Sequence, residues 1–182
     1  MTKFIIKQST IYLKGIKVND HLVHTEVLEV GKQPYIIEQK PQEIMNQSCR
    51  FYGEHFQERK LFTNRLIGST SKQPILVSPF TSTYFFCTQS ERTPDNTWIN
   101  ILYVQHLKKL KGNKTKILLE QDQTLTFPIS YHIVRQQYLK CTDLFFSNHR
   151  KNLFIKKLNG PNIDHSQEGY NIMDVMKMYP ND

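Results

Sequence analysis

Apolar and polar positions alternate through the first forty residues in the manner of strands. FIIKQ, TIYLKGIKV, LVHTEVLEV and PYIIEQ are rich in Ile, Val and Tyr, with turn signals at Asn19-Asp20 and from Gly31 to Pro34. The period then changes. Pro41 suits a first helical position, and Ile44, Met45, Ser48, Cys49 and Tyr52 form one stripe, with Arg50 opposite beside Glu43, Asn46 and Gln47. Gly53 ends this predicted helix. Between Glu54 and Leu66 the apolar residues Phe56, Leu61, Phe62 and Leu66 do not share a helical face, which predicts only a short helix with an irregular segment.

Strand patterns return with PILVSP, TYFFCT, TWINILYVQHL and TKILLEQ. Gly112-Asn113 is a hairpin signal that the flanking lysines can lengthen into a wider loop. Gln121 to Gln123 is a second tight turn, leading into TLTF. Ser130 is placed to cap a helix running to about Lys140. LFFSNHRKNLFIKKL forms a further strand or helix, and the composition turns polar after Asn159-Gly160-Pro161. The expected fold class is α+β: a strand-rich single domain with antiparallel hairpins and two or three helices, spanning 1–160, with a C-terminal tail over 161–182.

Composition agrees with a folded domain: 182 residues, 38% hydrophobic and 12% aromatic. No apolar run has the length of a membrane span, and the apolar start stops at Ile6, too early for a signal peptide. Three widely spaced cysteines (Cys49, Cys87, Cys141) fit a reducing compartment, so a cytoplasmic location is expected. The net charge of +8 is concentrated. Residues 101–160 hold eleven Lys/Arg against three Asp/Glu, while the remainder holds thirteen of each. A basic field so localised favours a polyanionic partner.

Catalytic patterns are weak by comparison. Cys49 and His55 are separated by a glycine break, and Cys49 sits on the apolar stripe, where a cysteine packs as a small hydrophobe. Glu58-Arg59-Lys60 has the acid-x-lysine step of some metal nucleases, but the second acid such a site needs is offered only by Asp95, in a turn. The seven histidines show no metal-ligand spacing beyond His21 and His24, and no glycine pair forms a phosphate loop. An enzyme is disfavoured, and no cofactor is expected. The stronger pattern is basic: Arg50, Arg59, Lys60 and Arg65 interleave with Phe51, Tyr52, Phe56 and Phe62. Lys108, Lys109, Lys111, Lys114 and Lys116 load one hairpin end, and Arg135 follows on the next helix. A lysine-rich hairpin can track a phosphate backbone; it can equally guard a sheet edge from aggregation.

An ordered set of short blocks resembles ComK, the competence transcription factor family of Gram-positive bacteria, from near Ile36 to about Lys140. Ser48-Cys49-Arg50-Phe51-Tyr52-Gly53 resembles the family's SCR-aromatic-aromatic-G block, and Arg59-Lys60 its Arg-Lys pair. Pro74-Ile75-Leu76-Val77 with Pro79, then Phe85-Phe86, Ser90, Arg92-Thr93-Pro94, Trp98-Ile99 and Phe127-Pro128-Ile129-Ser130-Tyr131 follow in family order. The resemblance implies an activator of DNA-uptake genes that binds double-stranded A/T-rich DNA as a dimer or tetramer, largely through the minor groove. It also implies recognition by a MecA-type adaptor with a Clp protease, through the family's apolar tail segment. Met176, Met178, Tyr179 and Pro180 resemble that segment, with Lys177 intruding. The rival readings are a metal-dependent nuclease and a regulatory protein that no longer binds DNA.

Overall fold

The computed structural model describes residues 3–159. In chain order these form β1 (Thr10–Lys17), β2 (Val23–Glu29), β3 (Tyr35–Ile37), α1 (Pro41–Phe51), α2 (Phe56–Ile67), β4 (Ile75–Ser78), β5 (Thr83–Cys87) and β6 (Thr97–Asn100). A 3-10 turn (Ile101–Tyr103) then leads to β7 (Val104–Leu110), β8 (Lys114–Leu119), β9 (Thr124–Phe127) and α3 (Tyr131–Asn159). By internal contacts the chain divides at Asn148 into two units, 1–148 and 149–182. The tail proposed at 161–182, with Met176, Met178, Tyr179 and Pro180, lies outside the described residues.

The expected strand-rich α+β fold is what the chain adopts, and every strand pairing is antiparallel. Six strands form one sheet in the order β3-β2-β1-β6-β5-β4, and three form another in the order β7-β8-β9. The large sheet is packed on both faces. On one, Leu13, Val27, Ile75, Val77, Phe85, Cys87 and Trp98 meet Ile44, Met45 and Cys49 of α1 and Phe56 of α2. On the other, Ile11, Leu76, Tyr84, Phe86 and Ile99 meet Ile117, Leu119, Leu125 and Phe127 of the small sheet and Val134, Cys141 and Leu144 of α3. Neighbouring residues of one strand thus enter different cores, so β4, β5 and β6 are buried throughout rather than alternating with polar positions.

Asn100 marks the exit from the large sheet. Fully buried, its Nδ2 donates to the carbonyls of Thr10 (3.0 Å) and Gln8 (3.3 Å), and its Oδ1 accepts from the Leu102 amide at 3.2 Å. That grip turns the chain into the second sheet. Pairing in the β7–β8 hairpin closes at Leu110↔Lys114, leaving Lys111-Gly112-Asn113 as the loop, with both Gly112 and Asn113 at positive φ. The flanking lysine does lengthen the turn. Gln121 and Asp122, also at positive φ, turn β8 into β9 as expected.

Four expectations need correction. TWINILYVQHL is not one strand, because the turn that Asn100 holds divides it between the two sheets. FIIKQ is not a strand: its backbone is held by α1, where Ser48 Oγ accepts from the Ile6 amide (3.0 Å) and Tyr52 OH donates to the Ile6 carbonyl (2.9 Å). The segment after Gly53 is a regular twelve-residue helix. Its apolar residues scatter because Phe56 enters one core while Phe62, Leu66 and Ile67 pack against the other. The helix predicted to end near Lys140 and the separate element after it are one helix, α3. Val134, Gln137, Cys141, Leu144 and Asn148 recur at spacings of three and four and are all buried, but two of the five are polar, which hides the stripe.

Gly15 is required by close approach, since a Cβ there would lie 2.4 Å from the Asp95 Cα. Gly15→Ala should therefore destabilise the fold by about 1–3 kcal/mol, measured by urea unfolding. Glu29 provides a second check. Although burial alone would raise its carboxyl, hydrogen bonds from Lys32 and from Tyr35 (2.8 Å), with the charge of Lys7, hold it below its ordinary value of 4.5. A carboxylate lowered by folding contributes stability above its unfolded pKa and loses it as pH falls through the folded one. Stability should accordingly drop on acidification below about 4.5, and Glu29→Gln should flatten that acid limb.

Candidate nucleic-acid interface

Register places the hairpin lysines. Lys108 lies directly across from Lys116, and Lys116 from Thr126, so these three share the outer face of the small sheet. Leu110 and Lys114 form the next row toward the loop, and His106, Leu118 and Thr124 the next row away from it. The opposite face carries Thr115, Ile117, Leu119, Leu125 and Phe127, all buried. No carboxylate stands on the outer face of the three strands. Lys108, Lys109, Lys111 and Lys114 are exposed and Lys116 is half-buried. Among the described residues none of the five makes an ion pair. Like charges set directly across an antiparallel pair repel, so Lys108 and Lys116 stand opposed at a cost to the sheet. Lys109, paired with Thr115, belongs to the inward-facing set but reaches solvent near the sheet's end.

His106, Thr124 and Thr126 are parts of this face that the charge pattern passes over. Their signal was available: once Gly112-Asn113 sets the hairpin, alternation alone brings them beside Lys108 and Lys116.

The arginine group divides. Arg50 is exposed on α1, as helical phasing predicts, beside Phe51, which is 67% exposed. Arg65 is exposed in the last turn of α2. Arg59 is turned inward, only 5% exposed, with its guanidinium on Glu54 (2.9 Å) and on the Tyr52 carbonyl (3.2 Å). It fastens α2 to the end of α1 and so does not offer its charge to a surface ligand. Lys60 is paired with Glu91. Arg50 and the lysine face also belong to opposite layers, because α1 covers one side of the large sheet and β7–β9 the other. The two basic patches expected from sequence are therefore separate. Arg135 is exposed on α3, beside a cleft along β7.

The three cysteines are all buried. Cys49 is fully buried, and desolvation pushes its thiol up to about 12 despite the opposing charge of Arg59; burial does the same to Cys87, also about 12. Cys141 is raised well above its ordinary value. A thiol held protonated is a poor nucleophile. Among the described residues no three His, Cys, Asp or Glu side chains gather as metal ligands. No described helix is long and apolar enough to cross a membrane. The described part of the second unit is helical, with Arg150, Lys156 and Lys157 exposed alongside Phe154 and Leu158.

The family model for ComK protein matches residues 1–152, most of the chain. The chain belongs to the ComK family. A similar protein, the competence transcription factor of Bacillus subtilis (strain 168), is 30% identical over 103 residues. That match covers 57% of this chain and 54% of the relative, so the chain spans about half the length of the relative it matches. No solved structure matches. Ser48–Phe51, the start of the block that resembles the family's, forms the last turn of α1, and Gly53 follows at positive φ.

Arg59→Ala should cost about 1–3 kcal/mol, because it leaves the Tyr52 carbonyl without its donor and Glu54 without its cation. Arg50→Ala should leave the unfolding midpoint unchanged; urea unfolding of the two variants compares them. All three cysteines should resist a thiol reagent at pH 8 until the protein is unfolded.

Proposed function

We propose that this ComK-family chain is a transcription activator of competence genes that binds A/T-rich duplex DNA, as an oligomer and largely through the minor groove. The observation that supports this best is the acid-free outer face of β7–β9, where Lys108 and Lys116 stand opposed with no counter-charge. Phosphates of a duplex would supply the counter-charge that relieves this repulsion, and release of condensed counterions would drive the association. A/T-rich tracts have a narrow minor groove of enhanced negative potential, which draws in basic side chains. Lys109, Lys111 and Lys114, at the loop end of the hairpin, are the ones proposed to enter it, with Lys108 and Lys116 on phosphates. The minor groove carries chiefly A·T-versus-G·C information, so no reading helix is needed. Arg50 and Arg65 form a second, separate contact set on the helical layer. The name of the similar Bacillus subtilis protein, competence transcription factor, supports the biological role. A cytoplasmic location and capture by a MecA-type adaptor with a Clp protease belong to the same proposal.

Fluorescence anisotropy with A/T-rich and G/C-rich duplexes over a salt series tests it. Preference for the A/T-rich duplex, abolished by a minor-groove-blocking drug, is expected; binding untouched by the drug would sink the groove assignment. Alanine at Lys108 should weaken binding to all duplexes and lower the salt slope by about one. Lys116→Glu should have opposite effects on two readouts. It should stabilise the free protein by about 0.5 kcal/mol, since like charges opposed across strands become unlike, and it should weaken duplex binding.

A further inference from the structure

The small sheet ends at β7, whose outer edge is paired with no strand among the described residues. Alongside that edge, between Val104–Leu107 and the first turns of α3, runs a cleft of about 310 Å³. Leu107, Tyr131, Tyr138 and Leu139 line it, with His106 and Arg135 also among its lining residues. Tyr138 is held in place by an edge-on contact with buried Phe86, ring centroids 6.1 Å apart. An unpaired strand edge beside a helix-walled groove is the arrangement by which extended peptides are bound through strand addition: backbone hydrogen bonds supply affinity and alternate side chains supply specificity.

We infer that this edge and cleft bind an extended segment of a partner protein in which acidic and apolar residues alternate. Alternation follows from the register. In a strand added to β7, residues facing Leu107 turn toward α3 and meet Leu107, Tyr138 and Leu139, where apolar groups fit. Residues facing His106 and Lys108 emerge on the lysine face, where carboxylates fit; Arg135 takes a further one. Charge also disfavours the other occupants. A second copy of this chain, pairing edge to edge, would bring two sets of Lys108 and Lys109 together, the arrangement by which sheets repel unwanted partners. A DNA backbone has phosphate acceptors for the β7 amides but no donors for its carbonyls, and offers no side chain to fill the tyrosine and leucine walls.

The test uses the full chain and a labelled, end-blocked peptide alternating Glu with Val and Leu. It should bind, and a peptide of the same composition with its acids in one block should bind at least about tenfold more weakly. N-methylation of the alternating peptide at its edge-facing amides should abolish binding, a readout that requires no protein variant. Leu139→Asp, at a partly exposed helical position, should weaken the peptide by about tenfold with the circular dichroism and the A/T-rich duplex affinity unchanged. Equal binding of the blocked-acid peptide, or indifference to N-methylation, would mean charge alone and overturn the inference. So would a Leu139→Asp variant that loses duplex affinity as much as peptide affinity, which assigns the cleft to nucleic acid. A peptide copying Val104–Leu110 that binds as well as the acidic one would assign the edge to a second copy, again overturning it.

Discussion

The arrangement of two sheets depends on the hydrogen bonds of one buried amide. A side chain with no access to water must satisfy its donors and acceptors internally or lose much of the stability its burial brings. Asn100 does so by bridging β1 and the 3-10 turn, and in doing so it sets where β6 stops and in which direction β7 starts. Without that turn the chain would continue along the large sheet, and its second face would lack the cover that Ile117, Leu119, Leu125 and Phe127 provide.

Covering both faces of the large sheet limits where function can sit. Its strands are interior from Ile75 through Trp98, so no broad sheet surface there meets solvent. The covering layers offer solvent the outer helical face with Arg50, and the outer face and free edge of β7–β9. The lysine face and the cleft share β7 but use it differently, one through side chains raised from the sheet and the other through its unpaired backbone. Two partners of like charge, a polyanion and an acidic strand, would then compete for the lysines of one strand.

Much of this was legible in the sequence where local chemistry and tertiary structure agree. Pro41, the Ile44–Cys49 stripe and Gly53 delimit α1 within a residue or two, and Gly112-Asn113 announces the hairpin. Legibility failed where a segment serves two cores, pairs with no strand, or buries polar residues in its stripe. Residues of α2 pack into both layers, so no single apolar face forms; FIIKQ is apolar and extended yet bonds to side chains of a helix; and α3 buries Gln137 and Asn148 in its stripe, Asn148 donating to the Tyr84 hydroxyl at 2.7 Å. For the site, charge pattern found the lysines but could not separate Arg59 from Arg50. Only packing reveals that an arginine nine residues further on is buried, with its guanidinium on a carbonyl and on the exposed Glu54.

The tight loop at Lys111-Gly112-Asn113 has a consequence for how the lysine face responds to temperature and to crowded ionic surroundings. A basic tail must be ordered residue by residue when it meets a polyanion, and the entropy of that ordering opposes binding more as temperature rises. Here the main chain is already fixed by the ladder on either side of the loop, and only lysine rotamers remain to be restrained. A polyanion binding there as proposed would be governed by ions rather than by chain folding: its affinity would follow the surrounding salt closely, with little further main-chain entropy lost on contact.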